Sequence, residues 1–127
     1  MTIVGLGIDA TDIPRVRETY QKYGERFLRR VYTEAEIAYC LRRRDPVPHL
    51  AGRFAAKEAG MKALGTGVSR GVLWRDVEVV RGGGGPPQLR FHGAAARHAA
   101  ALGASRALLT ITHSASLAFA QVVLVAG

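Results

Sequence analysis

Arg53-Phe54-Ala55-Ala56-Lys57-Glu58-Ala59-Gly60-Met61-Lys62-Ala63 is the stretch from which the rest of the chain can be read. It is rich in Ala and holds no Pro, so it reads as the body of a long helix running from about His49 to Leu64. Gly65 or Gly67 ends that helix. On it, Phe54, Glu58 and Lys62 lie four residues apart on one side, and Arg53 and Lys57 share an adjoining side. Glu58 therefore shares a stripe with Phe54 and Met61, and a carboxylate aimed at apolar surroundings needs a cation. Lys62 one turn on, or a metal ion, supplies one. The plainer alternative is an exposed Glu58–Lys62 pair.

Upstream of this helix, Thr2 to Ile8 is apolar and reads as a buried strand that ends at Asp9. A helix follows from Ala10 to Pro14 onward, capped by Thr11 or Asp12, with Pro14 in its first turn and Gly24 as its stop. Glu25 to Val31 reads as a further turn or two. Thr33 and Glu36 form a capping box for a helix over Glu34 to Arg43, and Asp45, Pro46 and Pro48 break the chain. Downstream, Leu73 to Val80 alternates as a half-exposed strand, and Gln88 to Phe91 returns from it across the glycine run Gly82 to Gly85. Gly93 to Leu102 is a short helix. Ser105 to Thr112 and Leu117 to Val125 are apolar enough to be central strands. The order predicts an α+β fold, with helices packed on a mainly antiparallel sheet in a single domain over residues 1–127.

The chain has 127 residues, 48% of them hydrophobic and 22% charged, which excludes the disordered and fibrous classes. The longest uncharged stretch, Ala107 to Gly127, contains His113, Ser and Thr residues and Gln121, and reads as two strands rather than a membrane span. No basic segment with an apolar follow-on opens the chain, and the single cysteine, Cys40, forms no internal disulfide. A cytoplasmic location is expected. The net charge is +8, and most of that excess follows Asp45: nine basic residues there face three acidic ones. An anionic partner is implied. A small nucleic-acid-binding module would suit the charge. However, the chain has only nine aromatics, no aromatic RNA-binding signature, and no basic run beyond Arg42-Arg43-Arg44 at a helix end.

Asp9, just past a strand, is placed as catalytic carboxylates often are, or as the cap of the next helix. Together with Glu58 and the nearby cations it makes a kit for Mg²⁺-assisted phosphate chemistry. Magnesium takes one or two protein carboxylates and completes its shell with water and phosphate, while Arg and Lys hold the remaining oxygens. The glycine run lacks the lysine and the strand–loop–helix setting of a phosphate-binding loop. His49, His92 and His98 show no pairing at metal spacing and read as surface or structural residues.

Two segments carry a resemblance. Gly5-Leu6-Gly7-Ile8-Asp9 with Ile13 and Arg15, and Arg53 to Ala59 with Lys62, Ala63 and Gly65, are similar to the two signatures of the holo-acyl-carrier-protein synthases, the short 4′-phosphopantetheinyl transferases. There are 48 residues between Asp9 and Glu58, as in that family. The Gly85-Pro86 hairpin, the Ala-rich helix ending in Gly103, and Thr112-His113-Ser114 before the last strand fit in the same order. The resemblance implies transfer of the 4′-phosphopantetheine arm of coenzyme A to a serine of an apo acyl carrier protein. It implies Asp9 and Glu58 as Mg²⁺ ligands and Lys62 facing the phosphates. Arg53 would contact the nucleotide phosphates, and His113 would sit near the nucleotide or act on the reaction. Arg15 would lie on a helix that docks the carrier protein. It further implies a homotrimer in which the Gly85-Pro86 hairpin of one subunit lines the pocket of the next, with no nucleic acid or membrane as partner. Some relatives have Asp after the histidine. Ser114 stands there in this chain, so a mechanism that needs that Asp does not carry over.

Overall fold

The computed structural model describes residues 1–127. The strand β1 (Thr2–Asp12) is followed by four helices: α1 (Ile13–Tyr23), α2 (Glu25–Val31), α3 (Glu34–Leu41) and α4 (Pro46–Leu64). Then come β2 (Val77–Val80), β3 (Gln88–Phe91), α5 (Gly93–Ala101), β4 (Arg106–His113) and β5 (Leu117–Ala126). The strands form two antiparallel sheets, one in the order β1-β5-β4 and one a β2-β3 hairpin. The α+β fold expected from the sequence is the one observed.

α4 lies across β1 and β5 and is the central element. It starts at Pro46, three residues before the expected start. Asp45 caps it through its carboxylate, which accepts from Val47 N, and both prolines fall in the first turn, where a missing N–H costs nothing. Gly65 in the left-handed conformation closes it. The Thr33–Glu36 capping box of α3 is present as expected.

β1 departs from expectation in two ways. It does not stop at Asp9 but continues to Asp12, because β5 supplies a ladder partner as far as Asp12↔Leu117. Pairing across the sheet overrides the poor strand propensity of Asp. Its buried face is also not the apolar one. Gly5, Gly7, Asp9 and Thr11 turn inward, while Ile3, Leu6 and Ile8 are more than half exposed. The glycines explain this arrangement. A Cβ on Gly5 would overlap the carbonyl oxygen of Ala63, and one on Gly7 would overlap that of Ala59. Strand and helix thus meet backbone to backbone, which brings Asp9, two residues further along the same face, against α4.

The C-terminal strands are not equivalent. β5 is central and largely buried, whereas β4 is an edge strand with alternating exposure. The segment before β2 is not strand from Leu73: Trp74–Asp76 forms a 3₁₀ turn in which the Asp76 carboxylate accepts from Leu73 N. One apolar cluster lies between α4, α5, the β2-β3 hairpin and β5, and a second between α1, α2, α3 and the first half of α4.

Candidate active site

The inward face of β1 and the middle of α4 border a cleft of about 490 Å³, a size suited to a small molecule. It is lined by Asp9, Ala10, Thr11 and Asp12 of β1, Arg15, Val16 and Thr19 of α1, Phe27, and Phe54 and Glu58 of α4. The two carboxylates singled out in the sequence therefore face one space. Asp9 does not cap α1. Asp12 occupies the capping position without a side-chain hydrogen bond, and the first helical amide, Ile13 N, donates to Ser116 O instead. Asp9 Oδ2 accepts from Thr11 Oγ1 at 2.9 Å and Oδ1 from Lys62 Nζ at 3.0 Å. Lys62 also donates to Ile8 O at 3.0 Å, so it pairs with Asp9 rather than with Glu58. Glu58 Oε1 accepts from the Trp74 indole Nε1 at 3.0 Å.

Arg15 was expected on a docking helix, and it lies on α1 within the wall of the cleft itself. Lys57, which adjoins Glu58 in sequence, does not belong to the site. It is fully buried on another side of α4, where Nζ donates to Glu36 Oε1 at 2.7 Å, to Val77 O and to Trp74 O. Burial depresses its ammonium below the ordinary lysine value, and the Glu36 carboxylate opposes that.

Arg53 lies outside the cleft, 6% exposed, with its guanidinium 3.9 Å from the Tyr39 ring centroid. Its Nε has no hydrogen-bond partner in the chain. Arg43 sits 4.2 Å from the same ring, and His49 meets that ring edge-on. Burial pushes the His49 imidazole down, as do the charges of Arg43, Arg53 and His113; Asp45 opposes them. Four basic side chains thus crowd together, and Asp45, the nearby acid, is already engaged by Arg17. Sequence reading missed Arg43 and His49. The signal available was spacing: Arg53 and His49 lie one turn apart on a helix that starts at Pro46.

His113 ends β4 in the same ladder row as Thr11, through Ala118. It is therefore about 10 Å, two strand spacings, from the β1 wall of the cleft. Its neighbour Ser114 closes the turn to β5: its hydroxyl accepts from Leu117 N at 3.2 Å. Within one chain Gly85 and Pro86 do not line the cleft that holds Asp9 and Glu58. Both belong to the connection between β2 and β3, and Pro86 borders a separate groove with α5 and β4.

A metal ion would find Asp9 and Glu58 here, and no three acidic, His or Cys side chains gather closely enough to cage it. Asp9 has one oxygen held by Thr11 and the other by Lys62, while Glu58 has one oxygen held by the Trp74 indole. This donor set fits a hard cation such as Mg²⁺, which keeps water and phosphate in most of its positions, and not a caged Zn²⁺ or Ca²⁺.

Residues 5–120 match the 4′-phosphopantetheinyl transferase superfamily. A holo-[acyl-carrier-protein] synthase of Koribacter versatilis is 50% identical over 122 residues, 96% of this chain and 98% of that protein. The crystal structure of the synthase from Neisseria meningitidis superposes with a TM-score of 0.88 at 31% identity, covering 98% of this chain and 99% of the other. A synthase from Bacillus anthracis, crystallised in complex with CoA (3′,5′-ADP), gives 0.82 at 34% identity over the whole of both chains. The chain belongs to the 4′-phosphopantetheinyl transferase superfamily and, within it, to the holo-[acyl-carrier-protein] synthase enzymes.

Proposed function

We propose that this enzyme moves the 4′-phosphopantetheine arm of coenzyme A onto a serine hydroxyl of an apo acyl carrier protein, with Mg²⁺ held by Asp9 and Glu58. The observation that carries the reading is the meeting of those two carboxylates, from distant parts of the chain, in one cleft beside Lys62. When bound, the cation would neutralise charge growing on the leaving phosphate. The chain's own residues do the rest. Lys62, held at the cleft edge by Asp9 and Ile8 O, faces the pyrophosphate. Arg53, Arg43, His49 and His113 form the basic cluster that holds the nucleotide phosphates. The serine oxygen attacks the phosphorus that bears the pantetheine arm, and its proton passes to Glu58 or to a water beside it. The bond to the second phosphate breaks, and adenosine 3′,5′-bisphosphate leaves. Ser114 takes no part, since its hydroxyl closes a turn.

The same reading gives the +8 charge its targets: the phosphates of coenzyme A and an acidic carrier protein approaching α1 beside Arg15. It assigns the exposed face of the β1-β5-β4 sheet to a homotrimer. Ile3, Leu6, Ile8, Leu108 and Phe119 stand out on that sheet with nothing covering them in a single chain. In the trimer the Gly85-Pro86 tip of a neighbour completes the nucleotide wall. We place the enzyme in the cytoplasm, where a lone, buried thiol such as Cys40 stays reduced.

The test is direct. The protein is incubated with apo carrier protein, coenzyme A and Mg²⁺, and the carrier is weighed by mass spectrometry. The expected gain is about 340 Da, the mass of the arm that this phosphoryl transfer delivers. The gain should disappear with EDTA and in Asp9→Ala and Glu58→Ala. An adduct that EDTA leaves unchanged overturns the metal reading. Tight binding of random DNA or RNA at physiological salt, without transfer, would favour the nucleic-acid module instead.

A further inference from the structure

Trp74 is the only tryptophan in the chain, and three residues of α4 grip it. Its indole N–H donates to Glu58 Oε1, its ring packs at 6.1 Å against Phe54, and its carbonyl accepts from Lys57 Nζ at 3.2 Å. Phe54 and Glu58 both line the cleft, and Lys57 is the buried ammonium locked to Glu36. The 3₁₀ turn carrying Trp74 is itself pinned, because Lys57 also holds Val77 O and the Asp76 carboxylate accepts from Leu73 N. An indole N–H is a donor that neither titrates nor rotates away from its ring plane. Here it is aimed at one oxygen of a carboxylate whose other oxygen receives no hydrogen bond from the protein.

We propose that Trp74 is a positioning residue for the transfer reaction: its indole N–H fixes one oxygen of Glu58 so that the other is presented to the cation and the phosphates. This rests on the function proposed above. It also gives the buried Lys57–Glu36 pair a task beyond stability, since that pair holds the backbone of the turn from which the indole reaches Glu58. A hydrogen bond to a charged group in such a site is strong enough to change ion affinity about tenfold when removed.

Uniform ¹⁵N labelling yields a single indole N–H resonance in this chain, so the contact can be watched without assaying activity. In the whole protein this resonance should move upfield in Glu58→Gln, and it should move in the wild type on addition of Mg²⁺ with coenzyme A. Trp74→Phe keeps a ring against Phe54 and removes only the donor. It should raise the Mg²⁺ concentration for half-maximal transfer about tenfold, lower kcat, and leave the KM for the carrier protein within twofold. Should Trp74→Phe fail to fold, the resonance shifts in the wild type and in Glu58→Gln decide alone. An indole signal indifferent to both Glu58→Gln and Mg²⁺ with coenzyme A overturns the inference. A Trp74→Phe enzyme with unchanged Mg²⁺ dependence does the same. If transfer itself fails in the wild type, it is the proposed function that falls, and the two failures are told apart.

Discussion

Two glycines decide where Asp9 stands. Gly7 and Gly5 let β1 lie against the backbone of α4 near Ala59 and Ala63, and Asp9 reaches Lys62 only because of that approach. Gly7→Ala would drive a Cβ into the Ala59 carbonyl, which cannot yield without moving the helix. The expected loss is about 3 kcal/mol of stability in urea unfolding, at the upper end of the usual overpacking cost. Gly82→Ala, with nothing within 4 Å of its added Cβ, should change stability by less than about 0.5 kcal/mol in the same measurement. Arg53 is the other instructive residue. Its sequence position matched a phosphate-binding role, and its guanidinium stacks on Tyr39 in the basic cluster rather than in the lining of the cleft. That stacking was invisible in sequence because Tyr39 sits on a different helix.

At the scale of elements, the contact between α3 and β2 is built from polar groups. The Glu36 carboxylate accepts from Thr33 N, Lys57 Nζ and Val79 N, so its charge is buried but fully partnered. Beside it, Thr33 Oγ1 donates to Glu78 Oε2 at 2.8 Å and His92 Nε2 lies 2.9 Å from Glu78 Oε1. Burial pushes the Glu78 carboxyl up, but hydrogen bonds from His92 and Thr33 and the charges of His92 and Arg90 outweigh it and hold it below its ordinary value. A carboxyl held low in the folded state contributes stability above its unfolded value, near 4.5, and loses that contribution as the pH falls through its folded value. Glu78→Gln should therefore narrow the stability gap between pH 7 and pH 3. Thermal melts across that range check this, and an unchanged pH profile would show that Glu78 carries none of it. The capping box announced Glu36 from sequence, but its partners Lys57 and Val79 needed the packed fold.

For the whole molecule the telling feature is the sheet face that no part of the chain covers. β1, β5 and β4 place Leu6 and Leu108 in the same ladder row on either side of Val123, with Ile8 two rows on and on the same face. This apolar surface is the one we propose to be covered in the homotrimer. Ile8→Lys should convert a species of three times 13.6 kDa into monomer in light scattering after gel filtration. On the proposed trimer it should also abolish transfer while Asp9 and Glu58 are intact, because each site would lose the hairpin that a neighbour supplies. A wild-type monomer with full activity would contradict the trimer.

What the residues determined by themselves was the list of elements and the two acidic positions. Helix α4, the hairpin, the last two strands and the capping box follow from periodicity, Gly and Pro placement and local hydrogen bonding, all of which act over a few residues. Asp9 and Glu58 stood out through type and setting, and the family resemblance joined them. Only the tertiary structure decided the rest. It turned the glycine face of β1 inward, extended that strand to Asp12, paired Lys62 with Asp9 instead of Glu58, and buried Lys57 away from the site. The physical reason is common to all four. Each depends on contacts between segments tens of residues apart, where backbone approach and ladder pairing override what each segment prefers alone.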